Sequence, residues 1–436
     1  MSSLHSLLSK PNVDDSYDNI KLLIGADRSV LQSIDSFRNL PIHIALFNPN
    51  ITLRVVQLLL NDWPESISQQ NRHGDLPIHS LCANEELDEA VLVQILALLV
   101  KKHPESVHRE DSDGELPIHK AAGLGTSPKV LKILVDAYPE SIRIPHGEYR
   151  ILPIHSVCES ENCRLDSVKY LLDIYPESIN IEDSEGWLPI HSAAYSCDPV
   201  IIEHLMLKDP DCASKVSNRG EYPLHVACRS ANLAVMKLLF DAYPEAIVKT
   251  NDEGNTPLER ARDVTDVIAF LESQLAFAEK AKDVNATTTL DQNSWLPLHH
   301  ALKNNVPLGS IKLLVKGNTS AIRVPNNNMA FPLHIACEFS SVKVVQYLMD
   351  MLDERMKNHS DANKDSIFHY ACRGGNCEVV KYLLDEQSPH ITKRNADKKL
   401  PIHLMCESEA SSDSLEHADT IFRLLLAYPE TVREYM

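Results

Sequence analysis

The sequence predicts an all-α fold: a solenoid of stacked helix-turn-helix units joined by short β-turn or finger loops. A Leu-Pro-Ile-His motif, first complete at Leu40–His43, recurs along the chain, mostly every 34 to 36 residues. A polar turn precedes each copy, and apolar residues at helical spacing follow it. One such unit cannot bury its own apolar face, whereas stacked neighbours can.

The repeat runs through nearly the whole chain in a single register. Between two of its copies, "TPLERA" carries Glu259 in the histidine position, and "SSLHSLL" near the start carries His5 there. These two atypical units bring the predicted total to twelve. The motif histidines are His43, His79, His119, His155, His191, His225, His299, His334, His369 and His403.

Each unit shows the same helix signals. A turn such as "NRHGD" before Leu76 favours tight backbone geometry. Proline then opens a short first helix, as at Pro77, where its missing N–H is not needed. A second, longer helix follows, for example "VLKILVDA" from Val130, and several of these end at a "YPESI" such as that at Tyr138, where proline stops the helix.

These motifs resemble the ankyrin repeat family, whose signature is Thr-Pro-Leu-His. The threonine caps the first helix in that family, but here only Thr256 and Ser366 keep a hydroxyl, and leucine fills most copies. Losing a cap costs about 1 kcal/mol, whereas burying a leucine contributes about 1.5–3 kcal/mol. We therefore expect the leucine side chains to face the neighbouring unit. The resemblance also implies that the motif histidines tie each unit to the next by hydrogen bonds.

Composition and motifs argue against several functional classes. The formal charge is −19, from 61 acidic and 42 basic residues, which disfavours nucleic acid as a partner. The sequence shows no signal peptide, no apolar run long enough to span a membrane and no C-x-x-C pair. It lacks G-x-S-x-G, P-loop and H-E-x-x-H patterns, so we expect no enzyme activity and no cofactor. Stacked units also hold their histidines too far apart to chelate one metal ion. We expect a cytoplasmic monomer, with a nuclear location as the alternative.

The unit at Thr256 interrupts the pattern. It lacks the histidine, has a long second helix from Asp263, and is followed by the polar run "NATTTLDQN" from Asn285. We predict two sub-arrays, 1–284 and 285–436, which meet at a flexible joint near 281–294. The alternative is one continuous stack. In the first sub-array the first unit is an atypical cap, and the last unit, at Thr256, has diverged.

Irregular segments offer further candidates. The acidic, serine-rich stretch after Ser408 is either a binding loop or a tolerated insertion. The last helix, near Ile421 to Ala427, is apolar on one side. Tyr428 and Tyr435 fold over it, or another repeat or a partner covers it.

The ankyrin resemblance implies protein binding along the concave face formed by the turn tips and first helices. Exposed tryptophans are enriched at interface hot spots. The alternative is that each tryptophan ring lies flat on the adjacent finger. The predicted function is a non-enzymatic scaffold or adaptor; the alternatives are a recruiting or regulatory subunit, such as that of a ubiquitin ligase, and a metal buffer. The predicted partner-binding residues are Trp187, Trp295, Tyr195, Arg229, Lys303, Phe339 and Arg373.

Overall fold

The computed structural model describes residues 3–196, 198–230, 232–261, 265–292, 294–386, 389–408 and 415–429. These residues form helices and no strand; two isolated bridges join His146 to Ile151 and Ser360 to Ser366. The all-α prediction is therefore confirmed.

The α-helices form first-helix and second-helix pairs along the chain, as the repeat predicts. Their bounds up to the unit at Thr256 are α1 Ser3–Leu8, α2 Tyr17–Ala26, α3 Pro41–Phe47, α4 Leu53–Asp62, α5 Pro77–Cys82, α6 Glu89–Lys102, α7 Pro117–Gly123, α8 Pro128–Ala137, α9 Pro153–Glu159, α10 Leu165–Ile174, α11 Pro189–Ser196, α12 Pro199–Lys208, α13 Pro223–Ser230, α14 Leu233–Ala242 and α15 Pro257–Arg260. The remaining helices are α16 Thr265–Lys282, α17 Val284–Thr288, α18 Pro297–Lys303, α19 Leu308–Gly317, α20 Pro332–Phe339, α21 Val342–Met351, α22 Glu354–Lys357, α23 Ile367–Arg373, α24 Cys377–Asp385, α25 Pro401–Glu407 and α26 Leu415–Ala427.

The chain divides into two compact units. Unit 1 comprises Met1–Leu239 and Thr250–Arg262, and unit 2 comprises Phe240–Lys249 and Asp263–Met436. The long helix α16 falls in unit 2, so this division does not coincide with the predicted boundary at 284/285. A flexible joint between 281 and 294 remains a prediction.

Within each unit the helices form two layers. In unit 1 the first helices α3, α5, α7, α9, α11 and α13 pack against one another in chain order. In unit 2, α18, α20, α23 and α25 do the same, and a single apolar cluster runs from Leu296 to Leu424 between the layers. Stacking therefore buries the apolar faces that a lone unit would leave in water.

Second helices end one residue before the proline-containing segments. α8 ends at Ala137, and Pro139–Arg143 then forms a single 3₁₀ turn. The hydroxyl of Ser141 donates to the carbonyl of Tyr138 at 2.6 Å and closes this turn. Proline has no N–H and cannot continue the α-helix, so the "PES" sequence reverses the chain toward the next finger.

The leucines in the threonine position are buried, in agreement with the expectation that they face neighbouring repeats. Leu116 and Leu188 are representative, with 1% and 2% of their surface exposed. The seven members of this set are Leu40, Leu76, Leu116, Leu152, Leu188, Leu296 and Leu400.

Finger loops have a repeated hydrogen-bond pattern of their own. The Asn71 side-chain oxygen accepts from the backbone N–H groups of His73 and Asp75 at 2.8 and 3.0 Å. Gly74 has φ +75°, and a Cβ there would lie 2.8 Å from the backbone nitrogen of Ser112 in the next finger. A backbone bond from Ser112 N–H to the His73 carbonyl joins the two fingers at 2.9 Å. Glycine thus permits both the left-handed turn and the close approach of successive fingers.

The structure tests only part of what the sequence predicts for the end of the array. α26 exposes Phe422 and Leu426, so its outer side is apolar as expected. Tyr428 packs partly against the unit 2 core. Tyr435 and residues 409–414 of the acidic loop lie outside the described residues.

Six cysteines lie three residues after the motif histidine, and most of them are buried. Cys82, Cys158, Cys228 and Cys337 are buried in first helices, as is Cys372. Cys406 occupies the same position in its unit but is exposed. Burial raises the pKa of the Cys82 thiol to about 12, so this group remains an unreactive thiol at neutral pH.

Candidate functional site

The motif histidines satisfy one backbone donor at the start of the first helices. In nine of the ten, Nδ1 accepts a hydrogen bond from the backbone N–H three residues earlier, at 2.8 to 3.2 Å; His155 is the exception. The imidazole therefore acts as the Glu259 carboxylate does in the unit at Thr256, where the carboxylate accepts from the Thr256 N–H. The threonine hydroxyl accepts there from a different donor, the Glu259 N–H, and leucine offers no acceptor in its place.

The other ring nitrogen of these histidines reaches the following unit. His191 Nε2 lies 3.2 Å from the Glu221 carbonyl oxygen, and His119 Nε2 lies 2.8 Å from that of Ile144. Because Nδ1 accepts a bond in these histidines, the neutral ring carries its proton on Nε2 and donates it across the unit boundary. The same type of bond is made by His43, His79, His155, His334 and His369.

Burial fixes the protonation state of these rings. It lowers the pKa of His119 to about 3, and those of His155 and His191 to about 4. Rings with such pKa values are neutral at pH 7 and are poorly suited to act as general acids or general bases there. Among the described residues there is no group of histidine, cysteine or carboxylate side chains that could hold a metal ion.

Four of the seven predicted partner-binding residues line one pocket in unit 2, which we call the Trp295 pocket. Trp295, Lys303, Phe339 and Arg373 contribute to a cavity of about 420 Å³ between neighbouring first helices and a finger. Phe339 is 38% exposed. Lys303 Nζ lies 5.6 Å from the Trp295 ring centroid, and it has no ion pair with any residue that the structure describes.

The Trp295 pocket combines exposed aromatic surface with positive charge. Arg373 forms ion pairs with Asp365 and, at 3.9 Å, with Glu338, while its guanidinium covers the Tyr370 ring at 4.8 Å. Burial raises the pKa of the Glu338 carboxyl. Because Arg373 is already paired with Asp365 and Glu338, Lys303 is the lining cation that can pair with an acidic group of a partner.

Trp187 and Arg229 line a different cavity, in unit 1, which we call the Trp187 pocket. Its volume is about 300 Å³. Four carboxylates and two guanidinium groups line it, so its net charge is negative; they belong to Glu159, Asp183, Glu185, Glu221, Arg219 and Arg229. Burial raises the pKa of Asp183, and burial followed by repulsion from Asp183 raises that of Glu159.

Neither tryptophan lies fully exposed on a finger tip. Trp187 is half-buried, with its ring centroid 6.1 Å from that of His191 in its own unit. Trp295 leans on His299 and His300 in the same way, at 5.7 and 5.2 Å.

The remaining predicted residue, Tyr195, is exposed, and its ring lies 5.9 Å from the Arg229 guanidinium without lining the Trp187 pocket.

Several lining residues were not predicted as binding residues. The Trp187 pocket includes Tyr149 and Ile151, which lie on the finger of the preceding unit, and the Trp295 pocket includes Asn326 to Asn328. A finger and the first helix of the next unit are far apart in the sequence and meet only through stacking. An alignment of finger positions with the following first helix could have suggested them.

Comparison with known proteins identifies the repeat. A family described as ankyrin repeats in three copies matches residues 190–274 and 267–358, and one described as ankyrin repeats in many copies matches 333–384. The same motif, helix pairs and histidine hydrogen bonds occur before residue 190. The chain is an ankyrin repeat protein. Ankyrin repeats generally mediate protein–protein interactions.

A structural comparison gives a distant likeness. The crystal structure of the ankyrin repeat domain of Bcl-3, a member of the IκB family, is 21% identical and has a TM-score of 0.40. It covers 54% of this chain, and the match spans 98% of the Bcl-3 domain. No curated protein matches the chain. No helix among the described residues has both the length and the apolar character needed to cross a membrane.

Proposed function

We propose that this protein is a non-enzymatic scaffold or adaptor that binds a partner protein through the groove between its fingers and first helices. The observation that carries the proposal is the Trp295 pocket, which brings together four residues from three successive repeats. A large apolar or aromatic side chain of a partner fits against Trp295 and Phe339. An acidic group beside it pairs with Lys303.

The pocket has the composition of an interface hot spot rather than of an enzyme site. Its aromatic side chains are partly exposed and would lose water contact on binding, which favours association. The buried rings of His299 and His334, the motif histidines nearest this pocket, are neutral at pH 7. Burial lowers the pKa of His299 and of His334 to about 4, far from the value that suits a general base at neutral pH.

Affinity purification from native extract with the full-length chain tests the proposal. The variants are Phe339→Ser and Lys303→Glu, and the control is Leu207→Ser, which removes a side chain that is 77% exposed on α12 and outside the pocket. Loss of an anchor should cost about 2 kcal/mol, or about thirty-fold in affinity. A partner retained equally by both pocket variants would refute the assignment.

The recruiting-subunit alternative predicts that a catalytic protein co-purifies stoichiometrically with the chain. The monomeric state and the cytoplasmic or nuclear location also remain predictions. Size-exclusion chromatography with light scattering, and imaging of the tagged full-length chain, test these two.

A further inference from the structure

A cavity in unit 1 that borders helices α3, α5 and α7 was not predicted from the sequence. We call it the Phe47 pocket. It has a volume of about 550 Å³, within the range of protein ligand sites, and its lining includes Phe37, Ile44, Phe47, Asp75, Ala83 and Lys120. These residues come from two fingers and from helices α3, α5 and α7.

One side of the Phe47 pocket is apolar and open. Phe47 is 62% exposed and Phe37 is 52% exposed. The Phe37 ring stacks on the His73 ring of the next finger, with centroids 6.1 Å apart, so it is held in place without being covered. Ile44 and Ala83, which also line the pocket, are half-buried. Two exposed phenylalanines that border one cavity form a rigid site for a large apolar side chain.

An acidic cluster borders the Phe47 pocket; of its four members, Asp75 and Lys120 line the cavity, and Asp111 and Glu115 do not. Lys120 Nζ lies 2.7 Å from Asp111, 3.0 Å from Glu115 and 3.5 Å from Asp75, so one ammonium group serves three carboxylates. The cluster therefore carries a net charge of −2. Asp75 Oδ1 is inaccessible to solvent and makes no hydrogen bond with the described residues, although its other oxygen accepts from Asn71 at 3.1 Å.

Hydrogen bonds across two fingers hold Asp75 in position. Asn39 donates to Asp35 at 3.0 Å, and Asn71 donates to Asn39 at 2.9 Å and to Asp75. Asp75 is thus supported from one side by amides and from the other by Lys120. Such a fixed carboxylate loses little side-chain entropy when it pairs with an incoming cation.

We infer that the Phe47 pocket binds an extended segment of a partner protein that carries a large apolar side chain and, within a few residues of it, an arginine or lysine. The inference rests on the proposed protein-binding function and adds the chemistry of the bound segment. The apolar side chain packs against Phe37 and Phe47, and the cation pairs with Asp75. The chain's formal charge of −19 favours encounter with a basic segment.

The test uses a phage-displayed library of random peptides selected on the immobilised full-length protein. Selected peptides should be enriched in arginine or lysine near leucine, methionine or an aromatic residue. One enriched peptide is then synthesised with a fluorophore, and its affinity is measured by anisotropy. Phe47→Ser should weaken binding about thirty-fold. Asp75→Asn should weaken it about tenfold at low salt and reduce its salt dependence.

Matched controls separate this inference from the proposed function. Leu207→Ser removes a side chain that is 77% exposed on α12, outside the pocket, and should bind the peptide like the wild type. Circular dichroism of every variant establishes equal folding. Enrichment of acidic or uncharged peptides, no enrichment at all, or affinity unchanged by Phe47→Ser would overturn the inference. If Phe339→Ser abolishes capture of a native partner while Phe47→Ser leaves peptide binding unchanged, the proposed function stands and the Phe47 pocket is rejected as a binding site.

Discussion

Acidification should destabilise this protein through its buried histidines well before most of its carboxylates titrate. His119 has its pKa lowered by burial to about 3, and His155, His191, His299 and His334 to about 4. In the unfolded chain each titrates near 6.5. Below pH 6.5 the unfolded state therefore binds more protons than the folded state, and the free energy of unfolding falls as the pH falls toward 4.

The size of this effect follows from proton linkage. At pH 5.5 each of these histidines is largely protonated when unfolded and neutral when folded, which costs about 1.4 kcal/mol per residue relative to pH 7.5. Five such groups cost about 7 kcal/mol, comparable to the whole stability of a typical domain. Carboxylates with lowered pKa values, such as Asp111, add their own loss of stability only at lower pH.

Urea denaturation followed by circular dichroism at pH 7.5, 6.5 and 5.5 measures the effect. His191→Leu removes one titrating group and should reduce the slope of unfolding free energy against pH between 6.5 and 5.5 by about 1 kcal/mol per pH unit. Leu116→Ala is the control, because it should destabilise the fold by about 2–5 kcal/mol without changing that slope. Equal stability of the wild type at pH 7.5 and 5.5 would refute the argument that these rings are buried and neutral.

Two further predictions concern single helices, and both are measured by thermal denaturation. Gly317→Ala should destabilise the protein, because the new Cβ would clash with the Ala281 carbonyl oxygen. Gly25→Ala meets no atom within 4 Å and should stabilise the protein by up to about 1 kcal/mol; the reverse order would contradict the packing at Gly317. Glu259→Ala should lower the melting temperature, because Glu259 accepts from the Thr256 backbone N–H at 2.6 Å and closes a capping box. No loss in that variant would show that the capping box contributes nothing to stability.

The repeat sequence predicted the helices well, because their signals are local. Proline at the first helical position, apolar residues at helical spacing and a proline after each second helix act within one unit. The predicted long helix from Asp263 is observed as α16, Thr265–Lys282. The same regularity predicted that every motif histidine occupies the same position in its own first helix.

What the sequence could not determine was which side chains share a cavity. Trp295, Lys303, Phe339 and Arg373 come from three repeats, and only stacking brings them into one pocket, while Tyr195 stays outside the pocket that contains Trp187.

The Phe47 pocket was missed for the same reason. Phe37 lies on a finger and Phe47 at the end of α3, and no local pattern links either of them to Asp75. Burial in an array depends on what the adjacent unit covers, which also explains why Cys406 is exposed although its register equals that of buried Cys372. The sequence by itself determined the repeating unit, through local backbone and helix preferences; the tertiary structure decided the binding surface, because that surface exists only where units meet.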